Sequence, residues 1–192
     1  MDIRKEIESY VPFNEQETID KENFIKFIDS SNDVLTRKNT FGHFSASSLV
    51  LDKSLSKAII LYHKIFEGYV YPGGHADGDD DLLHVAIKEV KEETNLDVKP
   101  ITNDIFAIQI LPIKGHVKNG QYISSHVHYD VLYLLLCDSN IDNIKIKDDE
   151  NLDVKWVDLD KTYKEDIIDW QRPINKKIVK KIKALKNTDY FL

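Results

Sequence analysis

Gly74-His75-Ala76-Asp77-Gly78-Asp79-Asp80-Asp81-Leu82-Leu83-His84-Val85-Ala86-Ile87-Lys88-Glu89-Val90-Lys91-Glu92-Glu93-Thr94-Asn95-Leu96 is a glycine loop running into a helix that carries three glutamates on one side. At about 100° per residue, with Glu89 as zero, Glu93 falls near +40° and Glu92 near −60°, so the carboxylates share an arc of about 100°. Leu83, Ala86, Val90 and Thr94 fall at roughly +60° to +140°, an apolar stripe directly beside them. The cluster is therefore expected at the rim of the core. Two carboxylates ~6 Å apart repel by about 3 kcal/mol at an effective dielectric of ~20, while the Lys88–Glu92 spacing of i,i+4 returns only about 0.3–0.5 kcal/mol. Either the carboxylates take up protons or a hard divalent cation sits among them, and oxygen-only ligands select Mg²⁺, Mn²⁺ or Ca²⁺. Lys-Glu-x-Lys-Glu-Glu is also the pattern of an ordinary solvated helix. A solvated face would centre its charges opposite the apolar stripe, whereas Glu93 lies only about 60° from that stripe's centre. Upstream, Tyr71-Pro72-Gly73-Gly74 reads as a turn with two residues free to take positive φ.

This stretch resembles the Nudix box, a glycine, five residues, a glutamate, seven residues, then Arg-Glu-aliphatic-any-Glu-Glu-any-Gly-aliphatic. Gly74 takes the opening glycine, Glu89 the first glutamate of the helical core, Val90 the aliphatic, Glu92 and Glu93 the paired glutamates, and Leu96 the closing aliphatic. Asp80 stands where the family has glutamate, Lys88 where it has arginine, and Asn95 where it has glycine. Asn tolerates a left-handed helix C-cap, Asp keeps the charge with a shorter reach, and Lys keeps a cation without the guanidinium fork. The resemblance implies an α/β fold, the Nudix-like α/β/α sandwich on a mixed sheet. It further implies hydrolysis of a phosphoanhydride, with Mg²⁺ (Mn²⁺ as substitute) held by Glu89, Glu92, Glu93 and the carbonyl of Gly73. Lys88 would stand in for the arginine that positions those glutamates. The general base is expected to be Glu93 or, from a later loop, Glu150 in Asp148-Asp149-Glu150-Asn151.

Outside the box the order of elements fits such a domain. Leu49 to Leu51, Ala58 to Tyr62, Tyr69 to Tyr71, Ile105 to Leu111, His126 to Cys137 and Val154 to Val157 read as strands. Strands alternating with one strongly amphipathic helix argue for a mixed sheet with helices on both faces. Residues 41–192 are expected to form the catalytic domain with a C-terminal helix. Residues 1–40 are expected to be a short helical N-terminal extension, with helices at Glu6 to Tyr10 and Glu15 to Ile28 and an apolar stripe of Phe24, Phe27 and Ile28. The C-terminal helix sets Ile174, Ile178, Ile182 and Leu185 at helical spacing against Lys176, Lys177, Lys180, Lys181, Lys183 and Lys186, a packed face and a solvated one.

The chain has 192 residues, 42% of them hydrophobic, and no apolar run approaches a membrane span of ~20 residues. Asp2-Ile3-Arg4-Lys5-Glu6 opens a polar helix rather than a signal segment, and a cytoplasmic location is expected. The net charge of −7 argues against a general nucleic-acid binder. The resemblance implies a small diphosphate-containing molecule as partner and leaves room for a homodimer. The single cysteine, Cys137, cannot form an internal disulfide and is expected to be core packing.

Ser125-His126-Val127-His128-Tyr129-Asp130 is the second informative stretch. Period-two alternation puts His126, His128 and Asp130 on one sheet face and Val127, Tyr129 and Val131 on the other. Two histidines with an aspartate could form a transition-metal site, hydrogen-bond a substrate, or line a polar solvent-facing side. An uncharacterised branch of the Nudix group is similar here and at the His43-Phe44-Ser45-Ala46-Ser47 strand, a resemblance that favours a pocket lining, with His126, His128 and Asp130 expected to contact the substrate. Gly74 and His75 lie where a phosphate could be contacted, and Tyr71, Phe106, Tyr122 and Tyr129 are candidate base-stacking surfaces. Three functions are compared: a Mg²⁺-dependent pyrophosphohydrolase of a nucleoside-diphosphate-linked substrate, a catalytically weak Nudix-like nucleotide sensor, and an isopentenyl-diphosphate isomerase-like enzyme. The last needs a cysteine near the front of the domain, where this chain has none.

Overall fold

The computed structural model describes residues 2–118, 120–137, 144, 151–164, 167–186 and 190. The elements in chain order are α1 (Ile3–Ser9), α2 (Glu15–Ser30), β1 (Gly42–Leu51), β2 (Lys57–His63), β3 (Gly68–Val70), β4 (Gly73–His75), α3 (Leu82–Thr94), β5 (Val98–Pro100), β6 (Ala107–Ile113), β7 (His116–Lys118), β8 (Gln121–Ile123), β9 (His126–Cys137), β10 (Asn151–Asp158) and α4 (Arg172–Leu185). The fold is α/β with a mixed sheet whose strands follow the order β10-β2-β1-β9-β5, with β3 on β2, β4 on β1 and β6 on β9; β7 and β8 form a separate hairpin. The chain divides into two compact units, residues 1–47, 73–86 and 104–133, and residues 48–72, 87–103 and 134–192.

In the first unit, α1 and α2 begin where side chains satisfy their free N–H groups. Asp2 accepts from the Lys5 amide and Asn14 from the Glu17 amide. Glu17 is buried, and its Oε2 accepts from the Tyr10 hydroxyl at 2.6 Å and the Phe13 amide at 2.8 Å. The apolar stripe of α2 packs on β1 and β9. Phe27 stacks on Tyr129 with ring centroids 4.0 Å apart, and Phe24 meets Phe44 and Tyr129 edge-on at 5.5 and 5.2 Å. β6 and β9 pair antiparallel from Ala107–Leu132 to Ile113–His126.

In the second unit, β10 pairs antiparallel with β2 from Asp158–Lys57 to Asn151–His63, and β5 pairs with the end of β9. Ile178, Val179 and Ile182 of α4 are buried while Lys176, Lys180, Lys183 and Lys186 are exposed, as the spacing predicts; Lys177 departs from it and is buried. Cys137, the single cysteine, is buried, as expected of core packing. No helix among the described residues is long and apolar enough to cross a membrane.

Candidate active site

Helix α3 starts at Asp81, whose Oδ1 accepts from the His84 amide at 2.9 Å, and His84 itself lies outward against Asp79. The helix ends at Asn95, which takes φ 60° while its N–H reaches the Lys91 carbonyl at 3.0 Å. The left-handed cap expected of that asparagine is therefore present. Leu82, Val85, Ala86, Val90 and Thr94 are buried, so the buried arc runs from about −40° to +140° on the helical wheel. This is wider than the stripe read from sequence. Glu89 and Glu93 fall inside that arc and Glu92 at its edge. Glu93 is only 3% exposed and its Oε1 accepts from Asn151 Nδ2 of β10 at 3.2 Å. Glu89 is half-buried, and Glu92 is exposed with the Lys88 ammonium 3.8 Å away. Oxygen donors at the foot of a packed helix, one of them held in place by an amide, suit a hard divalent cation.

Gly73 and Gly74 correct one expectation. Neither takes positive φ; both lie in β4, paired with Ser47 and Ala46 of β1. The demand for glycine at 73 is close approach. A Cβ there would sit 2.7 Å from the Ala46 carbonyl oxygen and 2.7 Å from Ser47 Cα. His75 follows, opposite Ser45, and the chain turns away as the Ala76 amide donates to the Phe44 carbonyl.

That pairing brings His43 and His75 to His126 and His128, so the polar face of β9 is covered rather than solvent-facing. One ring nitrogen from each of the four histidines lies within 4.8 Å of every other. His43 and His128 are buried, and His75 and His126 are partly so. Desolvation, reinforced by the neighbouring imidazoles, lowers His75 to about 3 and His128 to about 2; burial also lowers His43. Asp130, two residues beyond His128, has partners of its own. Its Oδ1 accepts from the Ser45 hydroxyl at 2.8 Å and its Oδ2 from the Ser47 hydroxyl at 2.7 Å and from Gln109 Nε2. The two-histidine, one-aspartate grouping expected from sequence is thus a four-histidine cluster with a carboxylate engaged by three donors beside it.

A model of the NUDIX domain family matches residues 43–179. The chain belongs to this family. Among solved structures, a Nudix-family hydrolase from Clostridium perfringens superposes with a TM-score of 0.51 at 20% identity, covering 75% of this chain and 98% of that one, which shows the fold. A C. elegans Ap4A hydrolase matches with a TM-score of 0.47 at 19% identity over 73% of this chain and 95% of that one. A MutT in a study of Aliivibrio salmonicida and Vibrio cholerae matches with a TM-score of 0.46 at 10% identity over 72% and 98%. No curated protein sequence matches the chain.

Of the Nudix-box residues, Glu89, Glu92, Glu93 and Lys88 share one helix, and Gly74 shares a strand with Gly73 just before the box. Glu150 lies outside the described residues. Of the aromatic candidates, Tyr71 and Phe106 are buried and Tyr129 is stacked under α2, leaving Tyr122, at 73% exposure, as the one open to solvent. Asn151 was missed because an asparagine at the start of a short strand carries no local signal. Ser45, Ser47 and His43 carried one, their period-two spacing on the His43 to Ser47 strand, which the structure joins with Leu49 to Leu51 as the single strand β1.

Proposed function

We propose that this Nudix-type pyrophosphohydrolase uses Mg²⁺ to cleave the diphosphate of a nucleoside-diphosphate-linked or related small molecule. The observation that carries the reading is the buried Glu93 of α3, whose Oε1 accepts from Asn151 Nδ2 at 3.2 Å on the helix that also carries Glu89 and Glu92. Glu89, Glu92 and Glu93, with the Gly73 carbonyl, would hold the ion, whose chemistry when bound is neutralisation of the diphosphate and acidification of the attacking water. Lys88, 3.8 Å from Glu92, limits the repulsion within the cluster and steadies its exposed member. Glu93 or Glu150 would take the proton from the attacking water. Gly74 and His75 would border the phosphates. The same proposal assigns residues 1–40 as an extension of the catalytic domain at 41–192, and a cytoplasmic location. The extension is tied to β6 through Gln16 Nε2 on the Ile108 carbonyl at 3.3 Å and the Ile110 amide on Asp20 Oδ2 at 3.3 Å.

The test is incubation with nucleotide sugars, ADP-ribose, dinucleoside polyphosphates and nucleoside triphosphates in the presence of Mg²⁺. Turnover of at least one compound is expected, with Glu92→Gln and Glu93→Gln each lowering kcat by at least about 100-fold in folded protein. Undiminished turnover in both variants would remove these glutamates from the mechanism. Tight nucleotide binding without turnover of any compound would favour the sensor reading.

A further inference from the structure

We propose that His43, His75, His126 and His128 form a binding site for one divalent ion of the zinc class, distinct in chemistry from the carboxylate set of the Nudix box. The four rings come from three strands, β1, β4 and β9, and their facing nitrogens lie within 4.8 Å of one another.

The hydrogen bonds around the cluster fix which nitrogens are available. His43 Nδ1 lies 3.1 Å from the Asn39 carbonyl and His126 Nδ1 lies 2.9 Å from the Ser124 carbonyl. A carbonyl only accepts, so both Nδ1 atoms carry the proton and both Nε2 atoms present lone pairs. This is the outer-shell arrangement that orients metal-ligating imidazoles. His43 is 3% exposed, and its Nε2 is buried with no hydrogen-bond partner among the described residues. An orphaned acceptor of this kind is costly in a packed interior and is satisfied at once by a cation. The Nε2 atoms of His126 and His128 are 3.2 Å apart. A tetrahedral site with metal–nitrogen bonds of about 2.0–2.1 Å has ligand–ligand edges of about 3.3 Å, so one edge is already at its bound length. The remaining separations, none above 4.8 Å, must shorten by up to about 1.5 Å as the ion binds.

Four neutral imidazoles select zinc, cobalt, nickel or copper over magnesium, which the oxygen-only helix prefers. A closed four-ligand set is the structural arrangement rather than the catalytic one, which keeps an open position. The ion would clamp β4, the strand carrying Gly73 and Gly74, to β1 and β9. Asp130, two residues beyond His128 on the same face, is occupied by Ser45, Ser47 and Gln109 and is not needed as a ligand.

Full-length protein without a polyhistidine tag, stripped with a chelator, would be titrated with Co²⁺. One Co²⁺ per chain with the intense visible bands of tetrahedral coordination is expected, displaced by Zn²⁺ and unaffected by excess Mg²⁺ or by Glu92→Gln. The bands should vanish in the His126→Asn/His128→Asn double variant, whose fold is checked by circular dichroism. X-ray absorption of the zinc-loaded wild type should count four nitrogen ligands in the imidazole range, which decides the matter even where the variant fails to fold. Absence of the bands, a count of fewer than three imidazoles, or bands that survive in the histidine variant and disappear in Glu92→Gln would overturn the proposal. None of these results bears on hydrolysis, which is measured separately with Mg²⁺.

Discussion

Replacing Gly73 by alanine isolates what the glycine of β4 does. Its Cβ would lie 2.7 Å from the Ala46 oxygen, 2.7 Å from Ser47 Cα and 2.9 Å from Ser47 Cβ, where ordinary contact begins at 3.4 Å, a deficit of about 0.5–0.7 Å on two backbone atoms and a Cβ. Backbone cannot swing aside as a side-chain tip can, so β4 must move off β1 across the Ser45–His75, Ala46–Gly74 and Ser47–Gly73 pairs. Overpacking of this kind costs about 1–3 kcal/mol, and the stiffer unfolded chain returns about 0.4–1 kcal/mol. The net loss is about 1–2 kcal/mol, a fall in Tm of about 2–8 °C for a chain of this size. Turnover should suffer more than stability. A displacement of about half an ångström in a carbonyl proposed to face the metal should cost about 10–100-fold in kcat. Gly120→Ala is the comparison, because Gly120 has φ +77° with nothing within 4 Å of its missing Cβ. That change should cost about 1–2 kcal/mol through dihedral strain alone and leave turnover intact. Urea midpoints at constant m-value and steady-state rates measure both quantities. Gly73→Ala with a wild-type midpoint and rate would refute the close-approach argument, as would equal losses of activity in the two variants.

Phe24→Ala removes a fully buried ring that contacts Phe44 and Tyr129 edge-on, and should lower the unfolding free energy by about 3–5 kcal/mol in urea titration; a loss below about 1 kcal/mol would contradict the packing of α2 on the strands. In chelator-stripped protein, His75 and His128 sit at about 3 and about 2 in the folded state against 6.5 unfolded, so the unfolded chain protonates first as pH falls. Their contribution is full above pH 6.5 and declines from there toward the folded values. The slope is about 1.4 kcal/mol per pH unit for each ring, or up to about 4 kcal/mol for the two between pH 7 and 5. Equal urea midpoints at those two pH values would show that the rings are solvated.

The parts of the molecule that were legible in sequence are those whose determinants lie within one element. The period of α3 put its three glutamates on one arc, Asn95 met the torsion its position demands, and the twelve residues of β9, alternating through Asp130 and then apolar to Cys137, run long enough to define both ends. β4, β5, β7 and β8 were not legible, because three residues cannot express a two-residue period; β3, equally short, was read as Tyr69 to Tyr71 from its β-favouring side chains ahead of the glycines. The His43 to Ser47 strand was legible as a strand, but its burial was not. Gly42-His43-Phe44-Ser45-Ala46-Ser47 reads as polar, yet it is largely buried, its serines satisfied by a carboxylate 83 to 85 positions away in the chain. The burial of Glu93 was underestimated because Leu82 and Val85 extend the apolar arc past Glu89, and two residues at the start of a helix shift its centre more than the stripe at 83, 86, 90 and 94 reveals. The same distinction separates the two candidate metal sites. A carboxylate set confined to five residues of one helix is written in local spacing, whereas four histidines on β1, β4 and β9 become a set only once β4 pairs with β1, and that pairing depends on the absence of a single Cβ at Gly73.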